Sequence, residues 1–543
     1  MFQPSPMRSR LNSIIAAELI VFVALITYGN TLTGPFVFDD YSSIILNSTL
    51  HHPWNIAHWL SPSPELPVGG RPMLNLSFVL NYAIGGTEVV SYHVVNLGIH
   101  VLAALTLYGI TRRTLLQPGL GDRFGRQAES FALAVALLWV VHPLQTDAVT
   151  YIAERAESLM AMFYLLTLYC YIRASEPGAP TRRWSALCVA SGLAGVGTKE
   201  VMVTAPLIVL LYDRAFVAGS FRAAWRQRRP LLLSLAGTWV LLGFLMHHLS
   251  ARGVGLSLGS SPWDYALTEC WAVTHYLRLA VWPHPLVIDY GPAVITRAAS
   301  VWPQALLLVL LVGAALLAAF RRTPWGFLAL AFFLILAPTS TFIPIIHEPI
   351  AEHRMYLPLA CLIPLVVAAL GAACGRAGPW AVGGLVLAWA AVAWERNGDY
   401  HTAVSLWSET VAARPSNPRA HTGLGQALLE AARLPEAQAQ LEEAIRINSL
   451  QAAPPPRPAE VARAHDVLGV LLAREGRTDA ALAEFHRALQ LHPADSPTHF
   501  NLGHLLARLG RTAEAIPEFQ EAVRLRPDFP EAQAELAKLQ PAR

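Results

Sequence analysis

The first 394 residues alternate between long apolar runs and short polar connections. A bilayer crossing needs about 20 mainly apolar residues in a helix, because every backbone hydrogen bond must be made inside the segment. Eleven runs approach that length, so the pattern predicts an all-α, polytopic transmembrane helical bundle over residues 1–394. The predicted spans lie at about 13–29, 92–111, 129–142, 157–172, 184–198, 201–213, 230–249, 301–320, 324–343, 355–374 and 378–394.

Two connections are longer and more polar, and we predict that they are outer loops at 30–91 and 250–300. The second loop contains an apolar segment at 264–283 that carries Asp264, Glu269 and Arg278. Ionisable groups are costly in lipid. We therefore expect this segment to be an interfacial helix on the outer face and not a further span.

The pattern changes at residue 395, where small residues and prolines begin to recur. A period of 34 residues is typical of the tetratricopeptide repeat, a helical pair whose small residues allow close packing. Residues 395–543 are thus predicted to form a tetratricopeptide-repeat α-solenoid with a Pro-rich insert at 451–460. Such a stack binds extended peptides or partner proteins, and the alternative is a role in oligomerisation alone. The recurring positions are Leu468, Gly469, Gly476, Ala481, Phe485, Ala488 and Pro493, each matched 34 residues later.

Composition and charge agree with this division. The 543 residues are 54% hydrophobic and 14% charged, and 35 of the charged residues lie in the last 149. Arginines gather in alternate loops, which predicts a cytoplasmic N-terminus. With an odd number of spans, the repeat tail is expected on the periplasmic side of the cell (inner) membrane. The net charge of +3 gives no indication of a nucleic-acid partner, and the five dispersed cysteines indicate no disulfide framework.

Asp39 and Asp40 follow the first predicted span directly. Neighbouring carboxylates raise the pKa of one of them, and such a pair can take a proton from an acceptor hydroxyl. Solvated loop acids or a helix cap are the alternative interpretation.

Further polar residues stand where an apolar bundle does not need them. Arg71 lies in the first outer loop, and His93 and Asn96 share one face of the second predicted span with His100. Three such residues together favour a site lining over a hydrogen-bonded core. The stretch from His142 to Arg155 is open to either a structural ion-pair network or catalysis.

Lys199 is the only lysine before the repeat tail, and Glu200 follows it. Phosphate neutralisation at the bilayer edge and an ion pair with Glu200 or a loop carboxylate are both open. His353 and Arg354 lie where a lipid-linked phosphate would sit, and a guanidinium suits bidentate phosphate binding. No HExxH, P-loop, GxGxxG or GxSxG motif stands in a suitable context, which disfavours metalloprotease, ATPase, nucleotide-dependent and serine hydrolase activities.

The order of these motifs ahead of a repeat tail resembles the type C integral-membrane glycosyltransferases. Within that group the chain is most similar to the transmembrane and tetratricopeptide-repeat-containing protein O-mannosyltransferases and their bacterial relatives. The motifs that carry the resemblance are Phe36-Val37-Phe38-Asp39-Asp40, Arg71-Pro72, His93-x-x-Asn96-x-x-x-His100, His142-Pro143 through Asp147 and Arg155, Lys199-Glu200, and Arg354-Met355-Tyr356-Leu357-Pro358.

The resemblance implies that mannose or another hexose passes, with inversion, from a polyprenyl-phosphate donor to a Ser or Thr hydroxyl of a protein. It implies that Asp39, with Asp40 beside it, is the base, and that Lys199, Arg354 and His353 hold the phosphate. Relatives often have Glu where this chain has Asp147, so that residue receives no direct role. No cofactor or metal site is implied, although metal dependence varies among relatives. The predicted substrate-binding set is Arg71, His93, Asn96, His142, Arg155, Lys199, Glu200, His353 and Arg354.

Three other functions remain open at this point. The chain could be a non-catalytic membrane scaffold whose repeats recruit partners, or a ligase or polymerase that joins lipid-linked glycans to glycan. A transporter is the last alternative, but internal repeats among the spans, which many transporters have, are not visible in the sequence.

Overall fold

The computed structural model describes residues 6–63, 66–246, 254–255, 261–291, 294–345, 348–450 and 458–539. The chain divides into two compact units. The membrane unit comprises Met1–Leu286 and Pro292–His401, and the repeat unit comprises Val287–Gly291 and Thr402–Arg543. The boundary predicted after residue 394 therefore falls inside the last helix of the membrane unit.

The membrane unit is helical, as the apolar pattern predicts. Within the described ranges its one β feature is an isolated antiparallel bridge between Val254 and Ile345. Its helices are α1 (Pro6–Tyr28), α2 (Ile56–Leu60), α3 (Pro72–Gly85), α4 (Val89–Leu115), α5 (Pro118–Phe124), α6 (Ala128–Val140), α7 (Thr146–Thr150), α8 (Arg155–Ser175), α9 (Thr181–Val196), α10 (Ala205–Tyr212), α11 (Phe221–Leu245), α12 (Pro262–Leu279), α13 (Trp302–Phe320), α14 (Pro324–Leu336), α15 (Leu359–Cys374) and α16 (Gly378–Asp399).

Six stretches of the described chain are long and apolar enough to cross a membrane, or seven if the bent pair Pro118–Val140 and Pro143–Thr150 counts as one span. The predicted spans at 355–374 and 378–394 form one 41-residue stretch among the six. Three other predicted spans form shorter helices: α9 has 16 residues, α10 has 8 and α14 has 13. Polar Thr198, Lys199 and Glu200 separate α9 from α10, which explains why neither reaches full length. The six stretches are Leu11–Thr33, Val89–Leu115, Arg155–Ser175, Phe221–Leu245, Trp302–Phe320 and Leu359–Asp399.

The helices differ in how far the rest of the protein covers them. The most apolar window of α8 is 72% buried, whereas that of α13 is 11% buried. Helix α8 packs against α4 and α9, so it lies in the interior of the bundle while α13 presents most of its surface to lipid. The interfacial helix predicted at 264–283 corresponds to α12, which is not one of the six.

The repeat unit is a series of helical hairpins, which confirms the predicted tetratricopeptide repeats. Left-handed glycines, Gly476 with φ +76° and Gly510 with φ +75°, lie in the turns after α20 and α22, where a residue without Cβ is favoured. The first seven residues of the Pro-rich insert lie outside the described ranges, and α20 begins at Pro458. The helices are α17 (Ala403–Ala413), α18 (Pro418–Glu430), α19 (Leu434–Leu450), α20 (Pro458–Arg474), α21 (Thr478–Leu491), α22 (Ser496–Arg508), α23 (Thr512–Leu525) and α24 (Pro530–Leu539).

Glycines inside the first helix of each pair allow the second helix to approach. A Cβ added to Gly469 would lie 2.8 Å from the ring of Phe485, and one added to Gly503 would lie 3.1 Å from the ring of Phe519. These distances are shorter than ordinary van der Waals contact. The 34-residue spacing of Gly and Phe is therefore the spacing of one packing contact.

Candidate active site

The adjacent carboxylates Asp39 and Asp40 have different surroundings. Phe38, which precedes them, has φ +45°, a left-handed conformation that is uncommon for a bulky residue and marks a tight, specific turn. The N–H of Asp39 donates to the hydroxyl of Tyr151 at 2.9 Å. Asp39 is half-buried, whereas Asp40 is completely buried.

Asp40 is held by backbone donors on both of its carboxylate oxygens. Oδ2 accepts from the N–H of Val37 at 2.9 Å and Oδ1 accepts from the N–H of Ala153 at 2.6 Å. Burial raises the pKa of Asp40 well above its usual value, and these two donors partly oppose that shift. Asp40 thus ties the turn after α1 to the turn before α8, and of the two carboxylates Asp39 is the more accessible to a substrate.

A cluster of ionisable side chains adjoins this turn. We call it the charged cluster, and its members come from α7, the start of α8, the α9–α10 connection and the segment before α15. Lys199 Nζ lies 2.9 Å from Glu157 Oε1 and 3.9 Å from Glu154 Oε2. The members are Asp147, Glu154, Glu157, Lys199, Glu348 and His353.

His353 occupies the other end of the charged cluster. Its Nδ1 lies 3.2 Å from Asp147 Oδ2, and its Nε2 lies 3.6 Å from Glu154 Oε2 and 3.7 Å from Glu348 Oε2. The second oxygen of Asp147 accepts from the hydroxyl of Tyr400 at 3.2 Å. One imidazole is therefore in ion-pair range of three carboxylates.

The carboxylates keep both basic members positively charged. Burial alone would lower the pKa of Lys199, but Glu157 and Glu154 raise it above its usual value. Burial likewise disfavours the imidazolium of His353, yet Glu154, Glu348 and Asp147 raise its pKa to about 9. Burial disfavours ionised Glu154, but His353 and Lys199 lower its pKa. At neutral pH the cluster therefore contains an ammonium and an imidazolium.

The cluster retains unused acceptor capacity. Within the described part of the chain, Glu154 Oε2 and Glu157 Oε1 are buried and accept no hydrogen bond, although both have the ion-pair contacts given above. Glu154, Glu157 and His353 bring one ligand atom each within 4.8 Å of one another, close enough for one metal ion. The Lys199 ammonium already supplies a positive charge beside two of these atoms. Function without a metal stays a prediction.

Lys199 and Glu200, although adjacent, pair with different partners. Glu200 forms an ion pair of 3.3 Å with Arg71, while Lys199 enters the charged cluster. Of the alternatives left open by the sequence, the pairing of Lys199 with loop carboxylates is the one that the structure contains.

Arg354 braces the segment that carries His353. Its Nη1 donates to the carbonyl oxygens of Pro349 at 2.9 Å and Thr339 at 3.1 Å, and to Glu269 Oε1 at 3.3 Å. Its Nη2 donates to the carbonyl oxygen of Glu348. These bonds use donors that the resemblance assigns to phosphate. In this structure Arg354 contacts protein oxygens and fixes the turn before α15.

The remaining predicted site residues lie in the core of the membrane unit. Buried Arg155 donates to Asn96 Oδ1 at 2.6 Å and to Asn81 Oδ1 at 2.8 Å. His93 Nε2 lies 3.1 Å from the carbonyl oxygen of Gly34, and His142 Nε2 lies 3.1 Å from that of Ala280. The structure therefore does not bring these residues together with Lys199 and His353.

Sequence reasoning missed the carboxylates that hold the two cations. Glu154 and Glu157 flank Arg155, and the spacing of three residues places them one helical turn apart at the start of α8. Glu348 lies five residues before His353. The signal that could have found them is the excess of acidic residues around the few buried basic ones.

The fold and this site together define a multi-pass membrane protein with a buried charged cluster and a tetratricopeptide-repeat tail. Tetratricopeptide-repeat family models match residues 390–458, 427–496 and 472–540. The homologues of the chain are protein O-mannosyl-transferases. Tmtc1 of Drosophila melanogaster is 28% identical over 52% of this chain and 35% of its own length.

Two further relatives have the same name. F38B6.6 of Caenorhabditis elegans is 24% identical over 81% of this chain and 64% of its own length, and human TMTC2 is 33% identical over 36% and 24%. The chain thus spans less than two thirds of the length of these relatives.

Solved membrane glycosyltransferases are also similar. ArnT from Cupriavidus metallidurans, in a crystal structure with undecaprenyl phosphate bound, aligns with 95% of this chain and 80% of its own at 15% identity and a TM-score of 0.34. The Archaeoglobus fulgidus oligosaccharyltransferase, tethered to an acceptor peptide, aligns with 81% and 59% at 14% identity and a TM-score of 0.37.

Proposed function

We propose that the protein is a glycosyltransferase that moves a hexose, mannose in the first instance, from a polyprenyl-phosphate donor to Ser or Thr hydroxyls of proteins. The observation that carries the proposal is the position of Asp39. A half-buried carboxylate stands beside a turn that leads directly into a buried cluster with two cations. The names of the relatives support the same activity.

The reaction needs a base, a stabilised leaving group and alignment of the two substrates. Asp39 takes the proton of the acceptor hydroxyl, whose oxygen forms the new bond to the anomeric carbon. The bond from that carbon to the phosphate oxygen breaks, and the lipid phosphate leaves with the electron pair. Attack from the side opposite the phosphate gives inversion.

Lys199 and His353 are the groups proposed to face the departing phosphate. Both are cationic at neutral pH for the reasons given above, and fixed charges in a water-poor site stabilise developing charge more than they would in water. Arg354, which the resemblance also assigned to the phosphate, is proposed to position His353 instead. Arg71 is held by Glu200 and is proposed to act as a second support.

The repeat unit is proposed to bind acceptor or partner proteins, as such concave stacks do elsewhere. We further propose that the membrane is the cell (inner) membrane and that the N-terminus is cytoplasmic. The site and the repeats would then both face the periplasm. The arginine distribution along the chain supports this orientation.

The test is mass spectrometry of periplasmic proteins from cells with and without this chain. The expected result is loss of single hexoses from Ser and Thr in the deletion strain and their return with the wild-type gene. Loss of hexose from a polysaccharide, with protein modification unchanged, would indicate a glycan ligase or polymerase. An unchanged glycan and protein profile would indicate a scaffold.

A further inference from the structure

A short segment of the loop after α12 belongs to the repeat unit. Val287–Gly291 is assigned to that unit, although the chain on both sides of it belongs to the membrane unit. Val287, Ile288 and Asp289 are buried, which is unusual for an irregular loop segment because its backbone polar groups need partners. The segment therefore has a binding surface of its own.

The principal contact is an ion pair between Asp289 and Arg419. Arg419 Nε lies 2.8 Å from Asp289 Oδ2 and Nη2 lies 2.5 Å from Oδ1. Two parallel N–H···O bonds of this kind are geometrically selective as well as strong. Asp289 is 3% exposed, so water screens the pair little. Arg419 also lies 3.5 Å from Glu460 of α20, which fixes the guanidinium in place.

Backbone recognition accompanies the ion pair. The side-chain amide of Asn417 donates to the carbonyl oxygen of Asp289 at 3.1 Å, while its oxygen caps the first turn of α18. Gly291 has φ +81°, and its N–H donates to Asp289 Oδ1 at 2.7 Å. A Cβ on Gly291 would lie 2.9 Å from Asn417 Oδ1. Only glycine suits this position.

An aromatic contact completes the surface. The guanidinium of Arg414 lies 4.6 Å from the centre of the Tyr290 ring, within the range of a cation–π interaction. Arg414, Asn417 and Arg419 all lie at or just before the start of α18, so one end of the first helical hairpin recognises Asp289, Tyr290 and Gly291 in turn.

We infer that Val287–Gly291 is an intramolecular ligand of the first repeat, a strap that closes this surface to other ligands. The strap makes the chain pass between the two units three times, where the sequence order of the domains implies one passage. Partner proteins therefore bind the repeat unit elsewhere than at Arg414, Asn417 and Arg419. The strap also requires the loop after α12 and the repeats to lie on the same side of the membrane.

The test is hydrogen exchange with mass spectrometry on the full-length protein in detergent. Arg419→Ala is compared with wild type, and Arg433→Ala is the matched control because Arg433 forms an exposed ion pair with Glu436. In Arg419→Ala the peptide that covers 287–291 should exchange about tenfold faster, since loss of a buried bidentate pair shifts a local opening equilibrium by that order. Peptides from α22 and α23 should keep their protection.

A second variant separates the strap from the fold of the repeats. Asp289→Asn leaves every repeat side chain intact and should give the same faster exchange at 287–291, while α18 stays protected. Unchanged exchange at 287–291 in both Arg419→Ala and Asp289→Asn would overturn the inference. An effect of Arg433→Ala equal to that of Arg419→Ala would overturn it as well.

Discussion

The Asp40 carboxylate accepts a hydrogen bond of 2.6 Å from the backbone N–H of Ala153. The next residue after Ala153 is Glu154, which belongs to the charged cluster. One buried bond therefore joins the turn that carries the proposed base to the turn that holds the proposed phosphate-binding cations. It also assigns different tasks to two adjacent aspartates, with Asp40 organising the turn and Asp39 meeting the substrate.

The first prediction concerns Asp40→Asn. Asparagine offers one oxygen and one NH2 group where Asp40 offers two oxygens, so either Val37 or Ala153 loses its acceptor. A buried N–H without a partner costs about 1–3 kcal/mol, and the thermal midpoint in detergent should fall. Asp39→Asn should lower the midpoint less. Equal midpoints for the two variants would contradict the division of tasks.

The second prediction concerns Lys199, which contacts Glu157 and Glu154. Lys199→Gln should reduce transfer at least about 100-fold, a loss typical for removal of one electrostatic stabiliser. Lys199→Arg, which keeps the charge, should retain more activity than Lys199→Gln. Transfer by wild type should survive extensive chelation, because the ammonium supplies the charge next to the carboxylates. Loss on chelation and recovery with Mg²⁺ or Mn²⁺ would show that a metal is needed.

The third prediction is a pH dependence of stability. The folded-state pKa of His353 is raised to about 9 from its ordinary 6.5, so its contribution is complete below pH 6.5 and is lost as the pH rises through about 9. The full contribution is on the order of 3 kcal/mol. The midpoint of wild type should fall over this window, and His353→Gln should show a flatter profile. Parallel profiles would contradict the role of the imidazolium.

The fourth prediction separates two roles for Arg354. As a brace, it cannot be replaced by lysine, whose single ammonium cannot reach Thr339, Pro349 and Glu269 together. Arg354→Lys should lower the thermal midpoint and kcat with little change in the KM for the lipid-linked donor. A raised donor KM at unchanged stability would instead support direct phosphate contact. Arg433→Lys, at an exposed ion pair, is the control and should behave as wild type.

Much of the fold could be predicted because its signals are local. The Gly469 and Phe485 spacing indicates a helical hairpin without reference to the rest of the chain, and the hairpin is present. Apolar runs identified the helices of the membrane unit, but their lengths depended on details that hydropathy alone does not weigh. The polar residues from Thr198 to Glu200 end α9 and delay α10, which leaves both too short to be full spans.

The site was harder to predict because its contacts are long-range. Sequence order placed Arg155 in the substrate-binding set, yet its neighbour Glu154 enters the charged cluster while Arg155 binds Asn96 and Asn81 in the core. Adjacent residues on a helix face different directions, and only the packing decides which one meets the site. The roles of Asp39, Lys199 and His353 stay predictions.

The most direct test of the central claim is transfer by Asp39→Asn in proteoliposomes that contain a polyprenyl-phosphate hexose and an acceptor peptide with Ser and Thr. Asp122→Asn is the matched control because Asp122 is an exposed aspartate outside the proposed site. We expect Asp39→Asn to lose at least about 100-fold in kcat, the scale of a general-base contribution, with its thermal midpoint near that of wild type and Asp122→Asn fully active. Full transfer by Asp39→Asn would contradict the proposed mechanism.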